Sequence, residues 1–311
     1  MSFSALPDPV ELAIPAFIVL LLAEIFWAWR RAPDEYETMD TAASLAMGFG
    51  NLAIGIAQAG LVLAATEWVY RYRIFDIGYS VWAFVAIFVA EDFCYYWFHR
   101  LSHEYRFWWA AHVNHHSSQH YNLSTALRQT WTGGIAGTFV VWLPLALIGF
   151  PPALIAFEKG VSLVYQFWIH TRAIDRLPAW FEAIFNTPSH HRVHHATNPR
   201  YLDSNYAGIL IVWDRLFGTF VPEDDVDPIR YGLVRNICTF NPLKIALHEW
   251  VAIAHDVRRA KSMRDAFMYV FGPPGWSPDG AGKTSAELRA VWRARRAAAQ
   301  PARNAIADDT V

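Results

Sequence analysis

The chain alternates long apolar runs with shorter polar segments. Runs near residues 10–29, 42–66 and 79–98 are each long enough to carry a helix across a bilayer, which takes about 20 apolar residues. A longer run, 133–169, is interrupted at 149–152 by Gly-Phe-Pro-Pro, which cannot continue a helix. The pattern predicts an all-α integral membrane helical bundle in which 133–169 forms two helices that enter and return.

Composition favours the membrane over the alternative, a set of buried helices in a soluble core. Hydrophobic residues make up 54% of the 311 residues and charged residues only 17%. The start of the chain lacks a signal-peptide pattern, so we expect the first run to be a retained span. A net charge of -2 indicates no nucleic-acid partner. The two cysteines, Cys94 and Cys238, form no metal-binding CxxC pair.

Basic residues suggest which side of the membrane the polar segments occupy. Arg30 and Arg31 follow the first run, which favours a cytoplasmic location for its end, although Arg71 and Arg73 weigh against this orientation. Counting five crossings then brings the ends of the first, third and fifth to the same, cytoplasmic, face. We expect a membrane domain over 1–276, including an amphipathic helix at 241–260. A polar Arg/Ala-rich tail over 277–311 should begin with a capping box formed by Thr284 and Glu287.

Clustered histidines lie next to these predicted span ends. The pattern HxxHH occurs twice, as His112, His115 and His116 and as His191, His194 and His195. On a helix, each triplet covers one face, so its three imidazoles can converge on one point. His99 and His103 form an i, i+4 pair of the kind used in helical metal sites, and Asp92 could accept a ligand's second ring N–H.

Eight histidines exceed the three or four that a single zinc usually takes, so the motifs predict a membrane-face di-metal site. Imidazole ligands alone do not choose among zinc, copper, iron and nickel. We expect His170 to be a ninth ligand, whereas His120 and His190 are ambiguous and His248 and His255 fit a solvated helix face. Glu24, Glu91 and Glu158 lie in or near apolar runs and raise a second hypothesis, a divalent-metal transporter.

The order HxxxH, HxxHH, HxxHH among membrane spans resembles the fatty acid hydroxylase and sterol desaturase superfamily of membrane non-haem di-iron oxygenases. Within it, the segments "FHRLSHE", "WWAAHVNHHSSQHYNLSTALRQ", "YQFWIHT", "NTPSHHRVHH" and "NYAGILIVWDRLFGTF" are most similar to the alkylglycerol monooxygenase subgroup. The resemblance covers roughly residues 80–276. It implies that the eight motif histidines bind two iron ions, and that Glu104 matches an acidic position near the site. His120 departs from the subgroup, in which an acidic residue is expected.

The resemblance also implies an activity. Members use O2 to hydroxylate a lipid C–H bond, and the subgroup cleaves ether lipids with tetrahydrobiopterin as reductant. Nothing in the chain resembles a fused cytochrome or flavin domain, so we expect a separate electron donor or external reductant. Hydroxylation or desaturation of a sterol, a fatty acyl chain or an amino-lipid is the nearest alternative, and a catalytically inactive lipid-binding relative is another.

Overall fold

The structure is a computed structural model that describes residues 6–225 and 227–308, with side chains described to residue 298. Helices account for all the regular elements of these residues apart from one isolated bridge between Phe185 and Leu210. The α-helices are α1 Pro9–Arg31, α2 Thr38–Tyr70, α3 Val81–Glu104, α4 Arg106–His116, α5 Leu143–Ile148, α6 Pro152–Trp168, α7 Ala179–Glu182, α8 Pro188–His194, α9 Val212–Phe217, α10 Pro242–Arg258, α11 Met263–Phe271 and α12 Ser285–Asp308. The all-α prediction is confirmed.

Within residues 6–225 and 227–308, three helices are long and apolar enough to cross a membrane. They are α1, α2 and α3, with 23, 33 and 24 residues, and at a rise of about 1.5 Å per residue each exceeds the roughly 30 Å of a hydrocarbon core. Their apolar side chains point outward, with Leu12, Phe49 and Val81 more than two-thirds exposed. An outward-facing apolar surface along helices of this length is typical of contact with lipid. The protein is therefore an integral, multi-pass membrane protein.

The predicted helical hairpin at 133–169 is only partly correct. Its second arm is α6, but its first arm is a 3-10 segment, Thr138–Trp142, followed by the six-residue α5. The left-handed backbone of Gly137 and the proline at 144 prevent a longer helix. The expectation of five full helical crossings is therefore wrong, although α5 still ends beside the loop that joins α2 to α3, where Ile74 donates to the carbonyl of Leu147.

The C-terminal ends of α1, α3 and α6 meet at one end of the bundle. Glu24, near the end of α1, accepts hydrogen bonds from the backbone N–H of Leu123 and the hydroxyl of Thr171, which follows α6. At the start of α2, Asp40 pairs with Arg128 at 2.6 Å. This end also carries α4 and α8, so every clustered histidine is brought to it.

Two later helices also agree with the sequence. The amphipathic segment expected at 241–260 is α10, which packs against α4 and α11. The capping box forms as expected: the N–H of Thr284 donates to the Glu287 carboxylate and the N–H of Glu287 to the Thr284 hydroxyl. Arg289 of α12 donates to the carbonyl of Leu202 at 2.6 Å, so this part of the predicted tail is anchored. A domain boundary at 276 stays a prediction.

A histidine-rich candidate metal centre

Nine histidines converge at the end of the bundle where α1, α3 and α6 finish. In each of two adjoining groups, the ring nitrogens that face inward lie within 4.8 Å of one another. The first group contains His99, His103, His112, His116 and His194, and the second contains His115, His170, His191 and His195. All are buried except His112, which is half-buried. His116 of the first group and His195 of the second stack with 4.4 Å between their ring centroids, so the two groups are in direct contact.

The structure divides each HxxHH motif between the two groups. In the α4 motif, His112 and His116 belong to the first group and His115 belongs to the second. In the α8 motif, His191 and His195 belong to the second group and His194 belongs to the first. The expectation that each triplet converges on one point is therefore wrong. Positions i and i+4 lie about 40° apart around a helix, whereas i+3 lies on the other side of i, by about 60°. Two sites on either side of the helix can each take part of one motif.

Backbone carbonyls orient four of the imidazoles. The Nδ1–H groups of His99, His115, His170 and His194 donate to the carbonyl oxygens of Tyr206, Arg128, Gln166 and Ser204, at 2.7 to 3.3 Å. A carbonyl oxygen only accepts hydrogen bonds, so each Nδ1 must carry the proton. In a neutral ring, the Nε2 atom is then unprotonated, and its lone pair faces the centre of its group.

Opposed lone pairs are the strongest local sign of a cation. The Nε2 atoms of His115 and His170 lie 3.2 Å apart, and both rings donate through Nδ1. Burial lowers the pKa of His170 to about 4, and burial with the neighbouring His170 holds the pKa of His115 well below its usual value. Both rings are therefore neutral at pH 7. Two lone pairs at this distance repel each other unless a cation lies beside both.

The nitrogen spacing also fits metal coordination. Neighbouring Nε2 atoms lie 3.0 to 3.2 Å apart in the first group and 2.9 to 3.2 Å in the second. Two ligands at right angles on a metal with bonds of about 2.1 Å are separated by about 3.0 Å. The residues present therefore fit two metal ions. A donor set of imidazoles suits iron as well as zinc, copper or nickel.

Two buried carboxylates that the sequence did not single out support this arrangement. Asp40 holds Arg128, whose carbonyl orients His115. Asp214, which is fully buried, accepts the backbone N–H groups of Tyr206 and Ala207, both at 2.8 Å, beside the carbonyl that orients His99. Neither carboxylate carries a spacing motif. The sequence signal for Asp214 was an acidic residue in an otherwise apolar and aromatic segment, whereas Asp40 lies among other acidic and polar residues and carried no such signal.

The two acidic residues proposed from the sequence have different surroundings. Asp92 does not contact a metal-facing histidine: its carboxylate accepts the N–H groups of Ile209 and Leu210 and the indole N–H of Trp213, at 2.7 to 3.0 Å. The expectation that it accepts the second ring N–H of a ligand is wrong, because these three donors fill its oxygens. Glu104 lies next to His103 in the chain and pairs with Arg100 at 2.8 Å.

The remaining histidines lie outside both groups. His190 is buried, and its Nε2 lies 3.9 Å from the Glu182 carboxylate. His120 has its Nδ1 3.2 Å from the Asp34 carbonyl, at a partly exposed position. His248 and His255 lie on α10. His190 is thus separated from its three neighbours in "HHRVHH", an arrangement that the sequence left ambiguous, whereas His170, the expected ninth ligand, lies in the second group.

The fold and this site define a class: a multi-pass helical membrane protein with two adjoining groups of imidazoles that can hold metal ions at one end. Residues 84–219 match the family model described as fatty acid hydroxylase, so this part of the chain is a fatty acid hydroxylase domain. That range contains all nine histidines.

Curated relatives extend the similarity over most of the chain. It is 41% identical over 276 residues to an alkylglycerol monooxygenase of Xenopus tropicalis, covering 88% of this chain and 60% of that protein. It is 39% identical over 277 residues to the human alkylglycerol monooxygenase, covering 88% and 61%. An ornithine lipid hydroxylase, OlsE of Rhizobium tropici, is 27% identical over 179 residues, covering 58% and 52%. No solved structure matches significantly.

The resemblance inferred from the motifs is confirmed. The chain nevertheless spans only about 60% of the length of the alkylglycerol monooxygenases from Xenopus and human.

Proposed function

We propose that this protein is an O2-dependent membrane monooxygenase that hydroxylates a C–H bond of a lipid. The observation that carries the proposal is the pair of adjoining histidine groups with lone pairs aimed at common points. The nine histidines would hold two iron ions, which supply the activation of oxygen when bound. The reaction balances when O2, two electrons and two protons convert the C–H bond to C–OH and release one water.

The chain's own residues supply geometry and exclude water. The carbonyls of Tyr206, Arg128, Gln166 and Ser204 keep four imidazoles in the tautomer that presents Nε2 inward. Burial of eight of the nine rings keeps bulk water away from the site. Asp92 and Glu104 are proposed to position neighbouring segments rather than to react.

For the substrate, we propose an O-alkyl glycerol ether lipid, hydroxylated at the carbon next to the ether oxygen. Support comes from the relatives named alkylglycerol monooxygenase. The hydroxylated ether then breaks down to an aldehyde and a free glycerol derivative. An amino-lipid is a second candidate, favoured by the similarity to an ornithine lipid hydroxylase.

The electrons are proposed to come from outside the chain. Tetrahydrobiopterin is the proposed reductant, by similarity to the subgroup, and a separate electron-donor protein is the alternative. We further propose that the metal centre faces the cytoplasm, since Arg30, Arg31, Arg106 and Arg128 all lie at its end of the bundle.

Metal analysis combined with turnover tests the proposal. Purified protein should contain two irons per chain and consume O2 only with a lipid and a reductant present. Products identify the substrate: ether cleavage gives an aldehyde, hydroxylation of an amino-lipid adds one oxygen, and desaturation removes two hydrogens. His190→Ala removes a buried histidine outside both groups, so it should retain both irons and is the control for substitutions of the nine histidines. Metal-dependent ion flux in vesicles without O2 consumption would instead favour the transporter.

A further inference from the structure

A charged cleft opens beside the first histidine group. It has a volume of about 450 Å³ and lies between the end of α3, the segment 200–221 and the start of α12. Four arginines line it, Arg100, Arg200, Arg289 and Arg293, against two acidic residues, Glu104 and Asp203. The lining therefore carries an excess of positive charge.

The arginines differ in how far they are already engaged. Arg100 pairs with Glu104, Arg200 pairs with Asp224, and Arg289 donates to the carbonyl of Leu202. Arg293 is exposed, and within the described part of the chain it has no hydrogen-bond or ion-pair partner. An anion in the cleft would meet one free guanidinium and three held in place by the fold. Arginine is well suited to phosphate because its N–H groups can bind two oxygens at once.

His103 connects this cleft to the metal centre. Its side chain lines the cleft yet is only 7% exposed. Its Nε2 is buried and has no hydrogen-bond partner among the described residues. A molecule in the cleft would therefore lie directly against a member of the first histidine group.

Aromatic and exposed apolar side chains lie at the rim of the cleft. The Arg100 guanidinium lies over the Trp97 ring, 5.3 Å from its centroid, and Trp97 contacts Phe217 at 5.2 Å. Leu216 is 70% exposed, and the next-but-one residue, Gly218, lines the cleft. Tryptophan beside exposed apolar residues is typical of the membrane interface. A lipid at this surface could reach the cleft with its headgroup.

We propose that this cleft binds the phosphate headgroup of a lipid beside the first histidine group, through Arg293 together with Arg100 and Arg289. The proposal rests on the proposed function in that it names a feature of the lipid substrate. A free soluble phosphate shares the chemistry, but the exposed apolar rim favours the lipid.

Binding can be measured without turnover, on the metal-loaded protein in a neutral detergent under anaerobic conditions. The probes are dioctanoyl phosphatidic acid and dioctanoyl glycerol, which differ by the phosphate, and inorganic phosphate alone. Wild type should bind phosphatidic acid at least about tenfold more tightly than the glycerol lipid, since hydrogen bonds to charged groups are lost with the phosphate. Inorganic phosphate at the same concentration should not compete.

Two exposed arginines on different sides of α12 provide the matched test. Arg293→Glu should weaken phosphatidic acid binding by about tenfold or more, and Arg293→Gln by less. Arg295→Glu makes the same charge change on the same helix, about 200° around its axis and away from the cleft, and should leave affinity within about twofold. Equal losses in Arg293→Glu and Arg295→Glu, or none in either, would overturn the proposal.

The remaining outcomes separate the two proposals. Competition by inorganic phosphate that depends on Arg293 would show a soluble anion site and overturn the assignment to a lipid. Headgroup binding without any O2-dependent turnover would count against the proposed function but support the cleft. Lipid turnover that depends neither on the phosphate nor on Arg293 would support the proposed function and count against the cleft as a headgroup site.

Discussion

Replacing Asp40 with alanine should destabilise the protein and loosen the second histidine group. Arg128 is only 1% exposed, and Asp40 is the carboxylate within ion-pair distance of it among the described residues. Removing one partner of a buried pair typically costs about 3 to 5 kcal/mol. Since Arg128 keeps hydrogen bonds to Ser44, Ser117 and the carbonyl of residue 40, we expect the lower end, about 3 kcal/mol.

The assay is equilibrium unfolding in mixed micelles, followed by tryptophan fluorescence, with metal content measured on the same samples. Asp225→Ala breaks an exposed ion pair with Arg176 and is the control, with an expected loss of about 1 kcal/mol or less. Asp40→Ala should also lose metal, because the Arg128 carbonyl orients His115. If Asp40→Ala unfolds like Asp225→Ala and keeps its metal, the inferred role of this pair is wrong.

Three further predictions concern the metal centre. His103→Ala should reduce metal content mainly at the first group and His115→Ala mainly at the second, each giving about one ion per chain by elemental analysis. Loss of both ions in one variant and of neither in the other would contradict the division into groups. Asp92→Asn should retain both metals but lower the free energy of unfolding by about 1 to 3 kcal/mol, since it disturbs the acceptor of buried N–H groups. Metal loss at unchanged stability would instead show that Asp92 orients a metal ligand. Metal-free protein should lose stability as the pH falls below about 6.5. Histidines of the unfolded chain take up protons in that range. Burial lowers the pKa of His170 and of His190 to about 4 in the folded protein, so both rings stay neutral there. Each contributes about 1 kcal/mol by pH 5.5, so thermal unfolding at pH 7.5 and 5.5 checks this; a higher melting temperature at pH 5.5 would refute it.

Local patterns predicted those parts of the fold that local physics determines. Apolar length located α1, α2 and α3, and Thr284 with Glu287 located the start of α12. The first arm of the 133–169 hairpin was harder, because its composition is apolar while the left-handed Gly137 breaks its backbone. Hydropathy averages over such a break and does not report it.

Residues that act through long-range contacts could not be predicted in the same way. Histidine spacing selected eight of the nine residues that converge, and His170 was expected separately as a ninth ligand. How each motif divides was not predicted, because that depends on where the facing helices lie. The carbonyls that orient His99 and His194 leave no trace in residue type, since every residue has a carbonyl. Asp40 and Arg128 are 88 residues apart, and no periodicity relates them.

The division of each HxxHH motif couples the loading of the two sites. Because α4 and α8 each contribute to both groups, an ion bound in one group immobilises helices that the other group also needs. The second ion then meets imidazoles that are already ordered and loses less conformational entropy on binding. We therefore expect metal uptake by the unmodified protein to be cooperative, so that chains with a single ion are a minor species unless a substitution has removed a ligand of one site.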